Sequence, residues 1–191
     1  MKVINLFGGP GSGKSTTAAG LFHLMKVAGY SVELVTEFAK DLTWDDSQNV
    51  LKDQMLVFAE QNHRLWRLEG KVDFAITDSP LLLSHIYYDL VGNCEFYNEL
   101  QLGNKFLDWV DNTFLNYDNI NFFIRRVKPY IEIGRNQNEE ESDMLSHRIK
   151  VLLATLFRCS RHGVVNYGVD FISLDGNEMA PRKILDMIEG A

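Results

Sequence analysis

Five short runs of apolar and β-branched residues, at 3–7, 31–35, 72–77, 120–124 and 169–174, punctuate the chain, and apolar positions between them recur at helical spacing. Strands alternating with helices in this way predict an α/β fold of three layers, a parallel sheet with helices on both faces. The first helix is expected over 14–28, ended by Gly29. A second long one is expected over 46–69, where Leu51, Met55, Phe58 and Leu65 form a stripe and Gly70 a stop. After the third run, 81–91 and 95–116 read as a helical pair separated by Gly92-Asn93. Between Arg125 and Asp143 the pattern lapses into polar sequence with Pro129, Gly134 and the run Glu139-Glu140-Glu141, before helical spacing resumes over 144–161. A charged, glycine-containing insert over 126–143 predicts a lid, with a solvated surface loop as the plainer reading.

One glycine run changes the picture from fold to chemistry. Gly8-Gly9-Pro10-Gly11-Ser12-Gly13-Lys14-Ser15 sits between the first strand and the first helix and fits GxxxxGK[ST] at every specified position. In such a loop the glycines turn backbone N–H groups inward around a triphosphate. The lysine reaches the β and γ phosphates, the hydroxyl of Ser15 ligates Mg²⁺, and the helix adds its positive end. Residues Gly8 to Thr16 are therefore the candidate ATP-binding set. A dinucleotide-binding fingerprint fails on spacing, because it needs a small residue where Thr16 or Lys14 stands.

The third run ends Thr77-Asp78-Ser79-Pro80, which puts an acid at the carboxyl end of a buried strand. Asp78 is the candidate second anchor for Mg²⁺, with helix capping as the alternative. Ser79 follows it, where motor and remodelling ATPases of the AAA type carry a water-activating glutamate, so that reading is weakened. A GTPase reading fails as well: Asn104-Lys105 has its acid one residue late at Asp108, and Asp89 to Gly92 falls within a helical stretch. Glu37, after the second strand, can accept the proton of an attacking hydroxyl or bind the acceptor by fixing its sugar, or merely cap a helix. Gln54, Gln61 and Arg64 share one helical face and are candidate acceptor contacts, with an exposed polar face as the alternative. Arg126 and Arg135 are candidates to stabilise the transferring phosphoryl group, with pairing to the 139–141 acids as the alternative.

Bulk properties add limits. A chain of 191 residues, 46% hydrophobic, suits one core and a single domain over 1–191. Net charge of −7 weighs against DNA as partner, although 8 of the 19 basic residues lie between Arg125 and Arg161, where anionic contacts are expected. Cys94 and Cys159 lack disulfide or zinc spacing and read as reduced thiols on helices; the five histidines show no ligand spacing. The tryptophans Trp44, Trp66 and Trp109 read as core residues, with no base-stacking platform indicated. The first strand leads straight into the glycine run, which leaves no room for a signal peptide, and no apolar run reaches membrane-spanning length. A cytoplasmic protein is the expectation.

Taken together, Gly8 to Ser15, Glu37 with Ala39 and Lys40, Asp53-Gln54 and Gln61, Thr77 to Pro80 with Tyr87-Tyr88, and Arg125-Arg126 before the lid resemble the small P-loop nucleoside and nucleotide kinases. Within them the likeness is to ribosylnicotinamide-kinase-like proteins of the NAD-biosynthesis-regulator type and related ATPases, including phage-encoded ones. The resemblance implies a five-stranded parallel sheet, an arginine-bearing lid after the fourth strand, ATP with Mg²⁺ as donor, and a small nucleoside-like or nucleotide acceptor. It departs at Lys40, where the family commonly carries arginine. A kinase acting on hydroxymethyl pyrimidine in DNA, and an ATP-binding sensor with little turnover, are the alternative functions.

Overall fold

In the computed structural model, residues 1–90, 102–131, 133, 137–155, 157–160, 163–166 and 169–190 are described, with 157–160 and 163–166 as backbone. β1 (Lys2–Phe7) is the central strand of a five-stranded sheet in the order β2-β3-β1-β4-β7, with β2 at Val32–Val35, β3 at Phe74–Thr77, β4 at Asp118–Arg125 and β7 at Ile172–Asp175. Each neighbouring pair is parallel. A separate antiparallel pair, β5 (Phe157–Ser160) and β6 (Gly163–Asn166), lies outside it.

Period-two alternation along the strands divides the core. Val3 and Phe7 of β1, Ala75 of β3 and Phe123 of β4 face one side, packed by α3 (Gln54–Trp66), α4 (Leu83–Leu90), α5 (Gly103–Leu115) and α6 (Glu139–Thr155). Ile4, Leu6, Ile76, Phe122 and Ile124 face the other, against Leu21 and Met25 of α1 (Lys14–Val27) and Ile184 and Leu185 of α7 (Ala180–Glu189). These are the three layers the alternation predicts. The buried Asn5 on β1 is satisfied by Asn119 and Asn121 of β4, at 2.8 and 3.0 Å, which ties the central strand to its neighbour.

Several expectations are corrected. The helix expected over 46–69 is broken: α2 (Phe38–Trp44) is followed by Asp46 at φ 53°, a single 3₁₀ turn (Val50–Lys52), and then α3. Asp53 sets the new start, its carboxylate accepting the N–H of Leu56 at 3.1 Å as an N-cap. The helix expected over 144–161 begins earlier, at Glu139, and stops at Thr155. Asn138 and Glu141 exchange backbone and side-chain bonds of 2.8 and 2.9 Å that cap its start. Cys159 consequently lies on β5 and not on a helix. Trp44 and Trp66 are each 63% exposed and Trp109 is 47% exposed, so these indoles are not core residues. The C-terminal helix α7 was not foreseen. Cys94 and 95–101 of the expected helical pair lie outside the described residues.

Candidate active site

The carboxyl ends of β1, β2 and β3 meet on one edge of the sheet, and the glycine run leaves from the central one. Its backbone takes φ values of 143°, 74° and 99° at Gly8, Gly11 and Gly13, which residues with side chains rarely adopt. α1 then begins at Lys14 with no side-chain cap, so the N–H groups of its first turn remain available to an anion. The ammonium of Lys14 folds over the loop and donates to the carbonyls of Gly8 and Gly9 at 2.8 and 3.0 Å.

The loop is held from outside as well. Ser142 Oγ of α6 donates to the carbonyl of Pro10 at 2.6 Å, and the N–H of Gly9 donates to Ser146 Oγ at 3.1 Å. From the turn after β7, Gly176 presses so close that a Cβ there would lie 1.9 Å from the Ser12 carbonyl; its N–H is bonded to Arg125 O at 2.8 Å. Sequence reasoning missed Ser142, Ser146 and Gly176. Their contacts are made across the fold, and only the i, i+4 spacing of the two serines hints at a shared face.

Asp78 leaves β3 beside the loop, because Thr77 is in register with Asn5 of β1. It is 7% exposed, and its Oδ1 finds no hydrogen-bond partner among the described residues. A buried carboxylate oxygen left in that state is costly unless a cation or donor meets it. Asp78, Ser15 and Glu37 line one cavity of about 250 Å³. Glu37 precedes α2, yet its side chain makes no cap bond. Burial raises its pKa above the ordinary carboxylate range; the charge of Lys14 opposes this and that of Asp78 adds to it.

A second cavity of about 580 Å³ lies on this edge. Lys14, Ser15 and Thr16 line it, together with Glu37, Gln54, Gln61 and Tyr87 of α4. The phenol of Tyr87 is held protonated well beyond its ordinary range, by burial first and by the negative charge of Glu37 second. Tyr87 lies one helical turn from Leu83 and shares with it the face of α4 that lines this cavity.

The remaining candidates divide. Gln61 is buried and grips the turn that carries Glu37, accepting the N–H of Phe38 at 2.9 Å and donating to Thr36 O at 3.3 Å. Arg64 reaches the same turn, bonding Thr36 and Asp41 and lying over the Phe38 ring. Gln54 donates to Leu51 O at 2.6 Å. Arg126 is paired with Glu139 and with Asp143, the latter at 2.5 Å, and lies against the Tyr130 ring. Arg135 lies outside the described residues, as do Glu132, Gly134 and Asn136 of the expected lid; Ile133 and Gln137 line the large cavity. His85 pairs with Asp111 of α5 at 2.6 Å, away from this edge, and no group of His, Cys, Asp or Glu among the described residues could hold a metal by itself.

A family model described as an AAA domain matches residues 3–171. Among solved structures the chain is similar to a deoxyadenosine kinase from M. mycoides with bound dATP, at 20% identity, a TM-score of 0.58 and 100% coverage of both chains. At that identity the likeness speaks for the fold: a P-loop kinase-like sheet with helices on both faces. Comparison with curated proteins gives no match. No helix among the described residues is long and apolar enough to cross a membrane.

Proposed function

Because the chain belongs to the AAA domain family and folds as a P-loop kinase does, we propose that it is an ATP-dependent phosphotransferase that moves the γ-phosphoryl group onto a nucleoside-like or nucleotide acceptor. The observation that carries this is that one 580 Å³ cavity is lined both by the loop lysine and by Glu37, a carboxylate whose pKa is raised by burial. A water-activating ATPase would place its base on the residue after Asp78. Here that residue is Ser79, whose N–H bonds Thr77 Oγ1 at 3.1 Å, and the free carboxylate comes instead from β2.

In this reading the amides of residues 8–16 and the Lys14 ammonium bind the donor phosphates. Lys14 exchanges the Gly8 and Gly9 carbonyls for phosphate oxygens. Ser15 and Asp78 fit Mg²⁺, since a hydroxyl and an unpartnered buried carboxylate oxygen are hard oxygen donors on one cavity wall. Bound there, the ion would neutralise charge on the triphosphate. Glu37 takes the proton of the acceptor hydroxyl, and its raised pKa brings it nearer to the working range of a general base. Gln61 and Arg64 position Glu37 by fixing its turn, and Gln54 borders the acceptor. Arg126, and Arg135 beyond the described residues, stabilise the transferring group once Arg126 leaves Glu139 and Asp143.

The test is a screen of nucleosides, nucleotides, ribosylnicotinamide and hydroxymethyl-pyrimidine DNA with ATP, read by mass spectrometry for an added phosphate. The proposal expects a phosphorylated small molecule formed in step with ADP. Tight ATP binding with no phosphorylated product from any acceptor would contradict it and leave a nucleotide sensor.

A further inference from the structure

The acceptor side of the large cavity is built with a charge of its own. Lys40 and Trp44 stand one turn apart on α2 and both line it, and Lys52 lines it from the 3₁₀ turn that follows. Glu37 is the one acidic side chain among the described residues of that lining. Neither the Lys40 nor the Lys52 side chain has an ion pair or hydrogen bond among the described residues; Lys40 acts on Glu37 through space. Four of the described arginines, by contrast, are in ion pairs: Arg64 with Asp41, Arg125 with Asp175, Arg126 with Glu139 and Asp143, Arg148 with Asp89. Two lysines on one stretch of the lining, with Glu37 as the acid that Lys40 acts on, offer positive charge to an anionic acceptor.

An uncharged nucleoside would leave Lys52 unanswered and Lys40 with Glu37 alone, and a cationic acceptor would be repelled. Lysine binds phosphate well as a point charge with three donors. Beside the pair, Trp44 leaves 63% of its surface in the open, a flat apolar face of the kind that purine or pyrimidine rings stack upon. The small volume of the cavity suits a mononucleotide and not a polymer groove.

Resting on the phosphotransferase reading above, we propose that the acceptor is a phosphate-bearing nucleoside, with its phosphate met by Lys40 and Lys52 and its base laid against Trp44. The transfer step is unchanged. An acceptor hydroxyl oxygen forms the bond to the γ-phosphorus as the bond to the β–γ bridging oxygen breaks, ADP departs, and the hydroxyl proton passes to Glu37.

The experiment compares kcat/KM for matched sets, namely each common nucleoside with its 3′- and 5′-monophosphates, and ribosylnicotinamide with its mononucleotide. Each set is run at low and high salt, with the wild type and with Lys40→Gln/Lys52→Gln. The expected result is a preference of at least about tenfold for one monophosphate over its parent nucleoside, shrinking as salt rises and collapsing toward unity in the double variant. Trp44→Phe should remove the fluorescence change that the preferred monophosphate produces on binding. Equal or better turnover of the parent nucleoside, or a preference untouched in a double variant with wild-type circular dichroism, overturns the proposal while leaving the phosphotransferase intact. Phosphorylation of DNA alone also overturns it. Absence of any phosphorylated product sinks both readings together.

Discussion

At the scale of single residues, the two carboxylates on the sheet edge carry the sharpest expectations. Burial makes the Glu37 carboxyl harder to ionise, so the folded chain keeps that proton at pH values where the unfolded chain has lost it. The stability this group contributes is present below the ordinary carboxylate range and is lost as pH rises through the raised value. Glu37→Gln, which keeps the shape and removes the charge, should therefore gain melting temperature relative to wild type as pH rises, by ~2–4 °C for each ~1 kcal/mol recovered. A gap that narrows on raising the pH would refute the assignment. In catalysis the same carboxylate has to be ionised. Wild-type kcat/KM should climb with pH through the raised value, whereas Glu37→Gln should be roughly 10²–10⁴-fold slower and lack that limb. Asp78→Asn, tested by Mg²⁺ titration of turnover, should need about tenfold more of the ion, because one hard anionic donor is gone. An unchanged Mg²⁺ requirement would move the metal elsewhere.

At the scale of elements, α6 is the brace of the site. Glu139, Ser142, Asp143 and Ser146 follow i, i+3, i+4, i+7 spacing, so one face of the helix holds Arg126 at its first turn and the phosphate loop one turn later. Arg126 and the loop thus share a support. Ser142→Ala/Ser146→Ala removes two hydrogen bonds worth ~1 kcal/mol each, and melting should fall by ~4–8 °C. The KM for ATP should rise, since the loop would lose its preset shape; a melting loss with unchanged KM would mean that the brace serves stability alone. Gly176→Ala should be harsher, because the added methyl would collide with the backbone carbonyl of Ser12 and not with a side chain that can swing away. Its check is ATP binding, which should weaken more than in the serine pair.

Elements also show where sequence was sufficient. The five strand runs were legible because each is short, apolar and bounded by polar turns, and the glycine loop because its residue types are dictated by backbone shape. The stripe from Leu51 to Leu65 was misread as one helix. Phe58 and Leu65 do face the core from α3, but the Asp53 cap and the left-handed Asp46 interrupt the path, and each depends on a single residue within a periodic pattern. The tryptophans misled for the opposite reason: helical spacing reports a face, and Trp44 lies on the face of α2 that lines the cavity. Gln61 and Arg64 both bond the Glu37 turn, a long-range contact that spacing does not encode.

At the scale of the whole molecule, strand order explains why the pieces converge. With β1 between β3 and β4, the loop, Asp78 and the Glu37 turn all emerge on one edge, while the β7 turn and α6 close around the loop from the far side. The result is one cavity lined both by the loop and by the Glu37 turn, with Lys14 the cation that the loop contributes to it. The most direct measurement is phosphorylated product formed by Lys14→Ala against wild type at saturating ATP, with circular dichroism confirming that the variant is folded. The account predicts a folded protein whose turnover falls by roughly 10²-fold or more, because the cation meeting the β and γ phosphates is gone. Wild-type turnover in that variant would contradict it.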